Sequence, residues 1–118
     1  MGKLTTHVLD TAHGCPGQGM RVRLFICGAK GNDKLLVSTK TNADGRCDKP
    51  MLEGKTLIPG KYRLEFDAGQ YFKKMRVKLA AVPFLDTVSI NFGISDAKAH
   101  YHVPLLVSPY GYSTYRGS

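Results

Sequence analysis

Long apolar runs and paired cysteines are both absent from this chain of 118 residues. No stretch approaches the roughly 20 apolar residues of a membrane-spanning helix, and an alternating segment begins at residue 4, so we expect neither a membrane segment nor a secretory leader. The three cysteines are odd in number and have no Cys-x-x-Cys spacing, which argues against a disulfide framework and a zinc ribbon. We therefore expect reduced thiols and a cytoplasmic location.

Acidic residues are scarce, 9 against 17 lysines and arginines, and the formal net charge is +8. Such a balance often marks a nucleic-acid-binding protein. Here the basic residues are spread along the chain, the one local cluster is Lys73, Lys74, Arg76 and Lys78, and no recognised nucleic-acid motif accompanies them. The charge favours an anionic or electron-rich small molecule instead, because a basic cleft raises the local concentration of such a substrate.

Helical periodicity is almost absent as well. Short alternating segments separated by turn residues dominate the chain, a pattern typical of a β-sandwich. They predict strands over residues 4–10, 20–27, 35–41, 61–67, 87–94, 99–107 and 110–115. The one predicted helix covers residues 68–76, with Tyr71, Phe72 and Met75 as core anchors at helical spacing. The length and the lack of repeats predict a single domain over residues 1–118.

Three imidazoles lie on predicted strands. His100 and His102 share a face because strand side chains alternate with period two, and His7 shares a face of another strand with Thr5. A single histidine on a strand is more often a hydrogen-bonded structural residue than a catalytic one. The same applies to Arg46, which follows the predicted turn at residues 42–45, so these residues alone leave the site open.

The sequence closes with Tyr115, Arg116, Gly117 and Ser118. A stable domain has no physical need for this order, because terminal residues fray and tolerate many sequences. A functional segment and a ragged tail that happens to carry an arginine are both compatible with these four residues taken alone.

Four segments together resemble the 5-hydroxyisourate hydrolase family, the enzyme branch of the transthyretin-like proteins. They are LTTHVLD at 4–10, TNADGR at 41–46, HVPLL at 102–106 and SPYGYSTYRGS at 108–118. The resemblance spans nearly the whole chain and shows no departure at the positions that matter. It implies an all-β, transthyretin-like sandwich of two antiparallel sheets with seven to eight strands and one short helix. It also implies a homotetramer, a dimer of dimers, with a channel between the two dimers.

The resemblance further implies an enzyme that hydrolyses a cyclic amide C–N bond. Such an enzyme opens the six-membered ring of 5-hydroxyisourate to 2-oxo-4-hydroxy-4-carboxy-5-ureidoimidazoline, during urate degradation to allantoin. The catalytic residues it implies are His7, Arg46, His102 and Ser118. Substrate binding is implied for His7, Arg46, Tyr115, Arg116, Gly117 and Ser118. No cofactor is implied, and the peroxisome is the alternative location in a eukaryotic source because some relatives live there.

These residue types suit the chemistry of ring opening. A base must take a proton from water, a donor must neutralise the developing oxyanion, and an acid must help the ring nitrogen leave. Imidazole, with an unperturbed pKa of about 6.5, performs either proton transfer near neutral pH. A guanidinium donates two parallel hydrogen bonds and keeps its charge, so Arg46 and Arg116 are expected to orient the substrate. Which of His7 and His102 is the base stays open, and a positioned water is favoured over Ser118 as nucleophile because no activating base is adjacent to Ser118 in sequence.

Other classes of function remain as alternatives. His7, His100 and His102 supply three nitrogens, as in catalytic zinc sites, but no acidic residue or cysteine stands at ligand spacing and nearby arginines would repel a cation. A transthyretin-like carrier that binds a small molecule in the inter-dimer channel is the main rival. Its channel should be lined by apolar and small residues, whereas the resemblance to the hydrolase family places His7, Arg46 and His102 there. A structural transthyretin-like module would need no such basic set.

Overall fold

The computed structural model describes residues 1–117. Within that range the chain forms nine strands, one α-helix and two short 3₁₀ helices. In chain order the strands are β1 (Lys3–Asp10), β2 (Cys15–Pro16), β3 (Arg21–Ile26), β4 (Lys34–Lys40), β5 (Leu52–Glu53), β6 (Gly60–Asp67), β7 (Thr87–Ile94), β8 (His100–Ser108) and β9 (Gly111–Thr114). Helix α1 (Ala68–Lys74) lies between β6 and β7, and the 3₁₀ helices are Ala29–Gly31 and Gly54–Thr56. Over residues 1–117 no helix is long and apolar enough to cross a membrane.

The strands form two sheets. One has the order β2-β1-β8-β9, with β5 also paired to β1, and the other has the order β4-β3-β6-β7. The predicted all-β, two-sheet sandwich is confirmed. One pair corrects the expectation of sheets that are antiparallel throughout, because β1 and β8 run parallel. The whole second sheet separates these strands along the chain, so no hairpin forces them to run antiparallel.

The core lies between the two sheets and follows the alternation in the sequence. On β6, the side chains of Tyr62, Leu64 and Phe66 are buried, and on β1 Leu4 and Val8 are buried. Full burial of an aliphatic or aromatic side chain contributes about 1.5–3 kcal/mol. The alternate residues of β1 and β8 point to the outer face of their sheet, where, apart from the buried Pro104, the burial is only partial.

Helix α1 packs one side against the core and ends earlier than the sequence predicts. Tyr71 and Phe72 are buried as expected. Met75 is 40% exposed, so its prediction as a core anchor was wrong. The reason is its position at the helix terminus, directly before Arg76, whose φ of 60° turns the chain out of the helix.

Asp10 ties the end of β1 to helix α1. Its carboxylate is buried and accepts hydrogen bonds from Tyr71 Oη at 2.8 Å, from His13 Nδ1 at 2.6 Å and from the backbone N–H groups of residues 12 and 13. Burial raises the pKa of Asp10, but the hydrogen bonds from Tyr71 and His13 outweigh it and bring the pKa below its ordinary value. The contact links the last residue of β1 to helix α1.

Candidate active site

The outer face formed by β1 and β8 carries the first part of the site. Thr5 lies directly opposite His102 in the parallel register. Leu4 and Tyr101, on the other face of the same strands, are buried and anchor both strands to the core. Period-two alternation therefore holds Thr5, His100 and His102 on the outer face, as the sequence predicts for the two histidines.

Arg46 reaches this face from a turn built around Asn42. The side-chain Oδ1 of Asn42 accepts hydrogen bonds from the backbone N–H of Asp44 at 2.9 Å and of Arg46 at 3.2 Å. Gly45 adopts a φ of 76°, the left-handed region in which glycine is free of strain. These local contacts direct the chain back toward β1 at Arg46.

The edge of β1 receives this turn between two short strands. β5 pairs with the start of β1 and β2 pairs with its end, and a single antiparallel bridge joins His7 to Arg46 between them. The backbone N–H of Val8 donates to Gly45 O at 2.8 Å. A Cβ at residue 45 would collide with Val8 O, so the close approach itself requires glycine. Neither β2 nor β5 is predicted from the sequence, because two residues are too few to show alternation.

A cleft of about 360 Å³ opens on this face. Its walls are lined by Lys3, Thr5, Thr6, Arg46, Cys47, Lys49, His100 and His102. Among the described residues no carboxylate lines the cleft, whereas three cationic side chains and two imidazoles do. The arrangement concentrates positive potential and suits a small anionic or electron-rich ligand.

His102 lines the cleft with one ring nitrogen hydrogen-bonded and the other available. Its Nδ1 is 2.8 Å from Thr5 Oγ1, which leaves Nε2 as the ring nitrogen available to a ligand. Burial lowers the pKa of His102, and the charge of Arg46 and the neighbouring His100 and His7 lower it further. The imidazole is therefore neutral near pH 7 and suited to accept a proton.

His7 lies beside the cleft and makes a hydrogen bond to the backbone of Asp44. Its Nε2 is 2.9 Å from the carbonyl oxygen of Asp44. A carbonyl only accepts, so Nε2 carries the proton and donates it, and Nδ1 is the nitrogen left for other chemistry. This contact attaches the turn that carries Arg46 to β1.

Gly117 contacts His102 through its backbone. The backbone N–H of Gly117 donates to His102 O at 2.7 Å. A Cβ at residue 117 would lie 2.9 Å from His102 Cδ2 and 3.2 Å from His102 Cβ, so glycine alone allows this approach without moving the ring. Ser118, predicted as a catalytic and binding residue, lies outside the described residues.

Arg116 and Tyr115 line a different, apolar cleft of about 210 Å³. The guanidinium of Arg116 stacks over the ring of Tyr101, 4.2 Å from its centroid. Tyr101 alternates with His102 and points to the opposite face of β8. The structure thus brings Arg46, His102 and Gly117 together with His7 at the edge, and directs Tyr115 and Arg116 elsewhere.

Four residues of the cleft, Lys3, Thr6, Cys47 and Lys49, were missed from the sequence. Lys3 alternates with Thr5 on β1, so its face was predictable, whereas Cys47 and Lys49 follow Arg46 in irregular chain that carries no periodic signal. Burial and the charge of Asp48 raise the pKa of the Cys47 thiol, which favours its protonated form.

Other features of the described chain carry less chemistry. Three clefts in the described part of the chain are larger. Those of about 420 and 430 Å³ border helix α1 and one of about 380 Å³ borders β4, and over residues 1–117 none of the three is lined by an imidazole. In that same range no group of three or more His, Cys, Asp or Glu side chains is arranged to hold a metal ion. His100 and His102 contact Thr5 instead, and His7 contacts Asp44.

Comparisons with known proteins agree on one family. The model of the HIUase/Transthyretin family matches residues 4–117. The chain is 55% identical over 118 residues to a 5-hydroxyisourate hydrolase of Pseudomonas aeruginosa, covering all of this chain and 93% of the relative. It is similar to the structure of Klebsiella pneumoniae 5-hydroxyisourate hydrolase, with a TM-score of 0.81, 33% identity and full coverage of both chains. It also resembles the crystal structure of an (S)-allantoin synthase, with a TM-score of 0.93 and 45% identity, covering 99% of this chain and 44% of that one.

Proposed function

The chain belongs to the HIUase/Transthyretin family, and from that membership and the basic cleft we propose that it is a 5-hydroxyisourate hydrolase. It is an enzyme that acts on a small-molecule substrate, adding water to a ring carbonyl and releasing the ring nitrogen. The product is 2-oxo-4-hydroxy-4-carboxy-5-ureidoimidazoline, an intermediate between urate and allantoin. The observation that carries the proposal is the imidazole of His102, which lines a cleft together with the cationic side chains of Lys3, Arg46 and Lys49 and has a lowered pKa.

His102 takes the role of the base. Its Nε2 accepts a proton from water as the oxygen attacks the carbonyl carbon, and the proton later goes to the departing ring nitrogen. Its lowered pKa supports this role, because the neutral form dominates at neutral pH. His7 is the second member of the acid and base pair through Nδ1, since Nε2 is held by Asp44 O.

Arg46 binds the substrate and stabilises the negative charge that develops on the carbonyl oxygen. A guanidinium that is always charged fits an electron-rich ring, and loss of one such donor typically costs about 10²-fold to 10³-fold in rate. The backbone N–H of Gly117 bonds to His102 O, and Ser118 is the fourth catalytic residue of this proposal. Tyr115 and Arg116 contribute to substrate binding by anchoring this segment on Tyr101.

The outer face of the β2-β1-β8-β9 sheet supports a homotetramer, a dimer of dimers. Leu106 on this face is only half-buried, and β9 beside it is exposed along its whole length, with Tyr112 at 48% exposure. A second dimer packed on this face would enclose the cleft and exclude bulk water from it. The proposal also includes a single domain over residues 1–118 and a cytoplasmic location. The three free cysteines agree with that location, because thiols stay reduced in the cytoplasm.

The test is a direct assay. 5-Hydroxyisourate is generated from urate with urate oxidase, and the decay of its near-ultraviolet absorbance is followed after addition of the protein or of a His102→Ala variant. We expect fast decay with the parent protein and a rate at least about 100-fold lower with the variant, because the base is lost. Background decay with both proteins would contradict the proposal and restore the carrier as the leading function.

His13→Gln is the matched control. It removes an imidazole that lies on the loop after β1, outside the cleft, and the glutamine amide supplies an N–H for the Asp10 carboxylate that His13 Nδ1 contacts. We expect this variant to keep the parent rate. Equal losses in His13→Gln and His102→Ala would show a general effect on folding rather than a role for His102.

A further inference from the structure

One threonine hydroxyl lies between two imidazoles in the cleft. Thr5 Oγ1 is 2.9 Å from His100 Nε2 and 2.8 Å from His102 Nδ1. A hydroxyl has one proton to donate and accepts through its lone pairs. It can donate to only one of these nitrogens, so they cannot both act as acceptors of its proton. The arrangement that uses all three groups has the hydroxyl donate to one nitrogen and accept an N–H from the other, with His100 Nε2 and His102 Nδ1 in opposite states.

The sheet holds this contact in place. Thr5 and His102 are opposite each other in the parallel register, and the ring centroids of His100 and His102 are 6.3 Å apart. Thr5 is β-branched, so its χ1 is restricted, and its neighbours Leu4 and Thr6 are buried. The three side chains are thus positioned by backbone pairing rather than by flexible contacts.

We propose that Thr5 is a positioning residue that relays a proton between His102 and His100, so that His102 changes from base to acid within one turnover without keeping a positive charge. The inference rests on the proposed hydrolase function. It assigns His100 the role of temporary proton carrier, away from the nitrogen that meets the substrate.

The protons balance at each step. At the start, His102 has Nδ1–H and a bare Nε2, and Thr5 accepts from His102 and donates to the bare Nε2 of His100. When water attacks the carbonyl, its proton goes to His102 Nε2, the Nδ1 proton goes to Thr5 Oγ1, and the Thr5 proton goes to His100 Nε2. His102 is then neutral with Nε2–H, and His100 is an imidazolium. Donation of the Nε2 proton to the leaving nitrogen reverses the relay and restores the starting state.

The charges around the two rings make the relay useful. Arg46 from the turn, His100 on β8 and His7 on β1 act electrostatically on His102. Lys3 from β1 and Cys47 and Lys49 from the loop line the same cleft. Burial and the charge of Arg46 disfavour an imidazolium at His102, as its lowered pKa reflects. Passing the proton on removes that charge from beside Arg46 while the substrate is bound.

The first experiment compares Thr5→Val, Thr5→Ser and Thr87→Val. Valine keeps the shape of threonine without its hydroxyl, serine restores the hydroxyl, and Thr87 is an exposed threonine on β7 in the other sheet. We expect Thr5→Val to lower kcat by at least about 10-fold, a part of the 10²-fold to 10⁴-fold range of acid and base catalysis, with KM nearly unchanged. Thr5→Ser should recover most of kcat, and Thr87→Val should match the parent. Parent-like kcat in Thr5→Val, or equal loss in Thr5→Ser, would overturn the proposal.

A double-mutant cycle tests whether His100 lies on the same route. His100→Gln keeps a polar side chain at the position but cannot carry the proton. We expect it to lower kcat about as much as Thr5→Val, and the double variant to lose no more than either single one. Losses that multiply in the double variant would mean that the two residues act separately.

A third measurement needs no substrate. Nitrogen-15 NMR of the imidazoles in the free protein should show opposite protonation of His100 Nε2 and His102 Nδ1, and Thr5→Val should abolish this correlation. Unchanged imidazole signals in Thr5→Val, in a protein that hydrolyses 5-hydroxyisourate, would reject the relay and leave the function intact. If His100 Nε2 and His102 Nδ1 show opposite protonation but the protein has no hydrolase activity, both the proposed function and the relay are rejected. Only the hydrogen-bonded contact of Thr5 with the two imidazoles then stands.

Discussion

His102 shows how one residue's environment selects its chemistry. Burial and the charges of Arg46, His100 and His7 all disfavour its protonated form and lower its pKa. A histidine in this state serves as a proton acceptor below the pH at which a free imidazole is half protonated, about 6.5. The rate kcat/KM should therefore stay high until the pH falls below 6.5 and decline as His102 becomes protonated.

Replacing Arg46 with glutamine tests this electrostatic account. Removing the charge of Arg46 should raise the pKa of His102 toward, but not above, 6.5, because burial still lowers it. An NMR titration of the His102 ring measures the shift directly, and kcat/KM should fall by about 10²-fold to 10³-fold because an anion-stabilising donor is lost.

Arg21→Gln is the control for that titration, since Arg21 is an exposed arginine at the start of β3 in the other sheet. It should leave the pKa of His102 where it is. A His102 pKa that moves equally in both variants, or that falls in Arg46→Gln, would refute a local effect of Arg46.

At the scale of elements, three backbone contacts assemble the site. The parallel pairing of β1 with β8 places Thr5 opposite His102, and the bridge between His7 and Arg46 positions the turn. The hydrogen bond from Gly117 to His102 O brings residue 117 to the site. Each contact joins segments that are far apart in sequence. The site therefore depends on the sandwich being complete before its side chains meet.

Gly117→Ala should reduce activity with little loss of stability. The added Cβ would lie 2.9 Å from His102 Cδ2, so either the ring or the terminal segment must move. A displacement of about 1 Å in a catalytic group costs up to about 100-fold in rate. Assays of kcat/KM, together with thermal melts, measure the two effects separately.

Gly111→Ala on β9 is the matched glycine variant, because a Cβ there would have only an ordinary contact, 3.9 Å from Ser108 Oγ. It should keep the parent activity. If Gly117→Ala were as active as Gly111→Ala, the close approach of residue 117 to His102 would have no part in catalysis.

At the scale of the whole molecule, the two faces of the β2-β1-β8-β9 sheet differ in how far their side chains are buried. The inner face is buried in the core, whereas the outer face has His100, His102 and Leu106 only partly covered. Half-buried aliphatic and aromatic side chains next to a polar cleft suit contact with another copy of the chain. The proposed tetramer would close the cleft by that contact.

Leu106→Glu tests the assembly, because it places a charge on the outer face without entering the cleft. We expect the solution mass, measured by light scattering, to fall from four chains to two, with a loss of hydrolase activity. Leu36→Glu, at an exposed leucine on β4 of the other sheet, should leave both properties unchanged. If the Leu106→Glu protein stays tetrameric, the contact between the two dimers does not lie on this face.

The sequence by itself determined the alternation of apolar and polar residues, and hence the sandwich and the strands that carry His7, His100 and His102. Its motifs also determined the family and the activity. These properties are local or follow from segments such as TNADGR and SPYGYSTYRGS, which are readable without knowing which parts of the chain meet. The helix end and the strands β2 and β5 were less accessible, because two or three residues carry too little periodicity.

Only the tertiary structure decided how the site is arranged. The parallel register puts Thr5, rather than another outward residue, between His100 and His102, and it is set by packing across the whole sandwich. Arg116 likewise stacks on Tyr101 because β8 turns that ring to the face opposite His102. Contacts between segments about 95 residues apart depend on the free energy of the complete fold, and no local pattern encodes them.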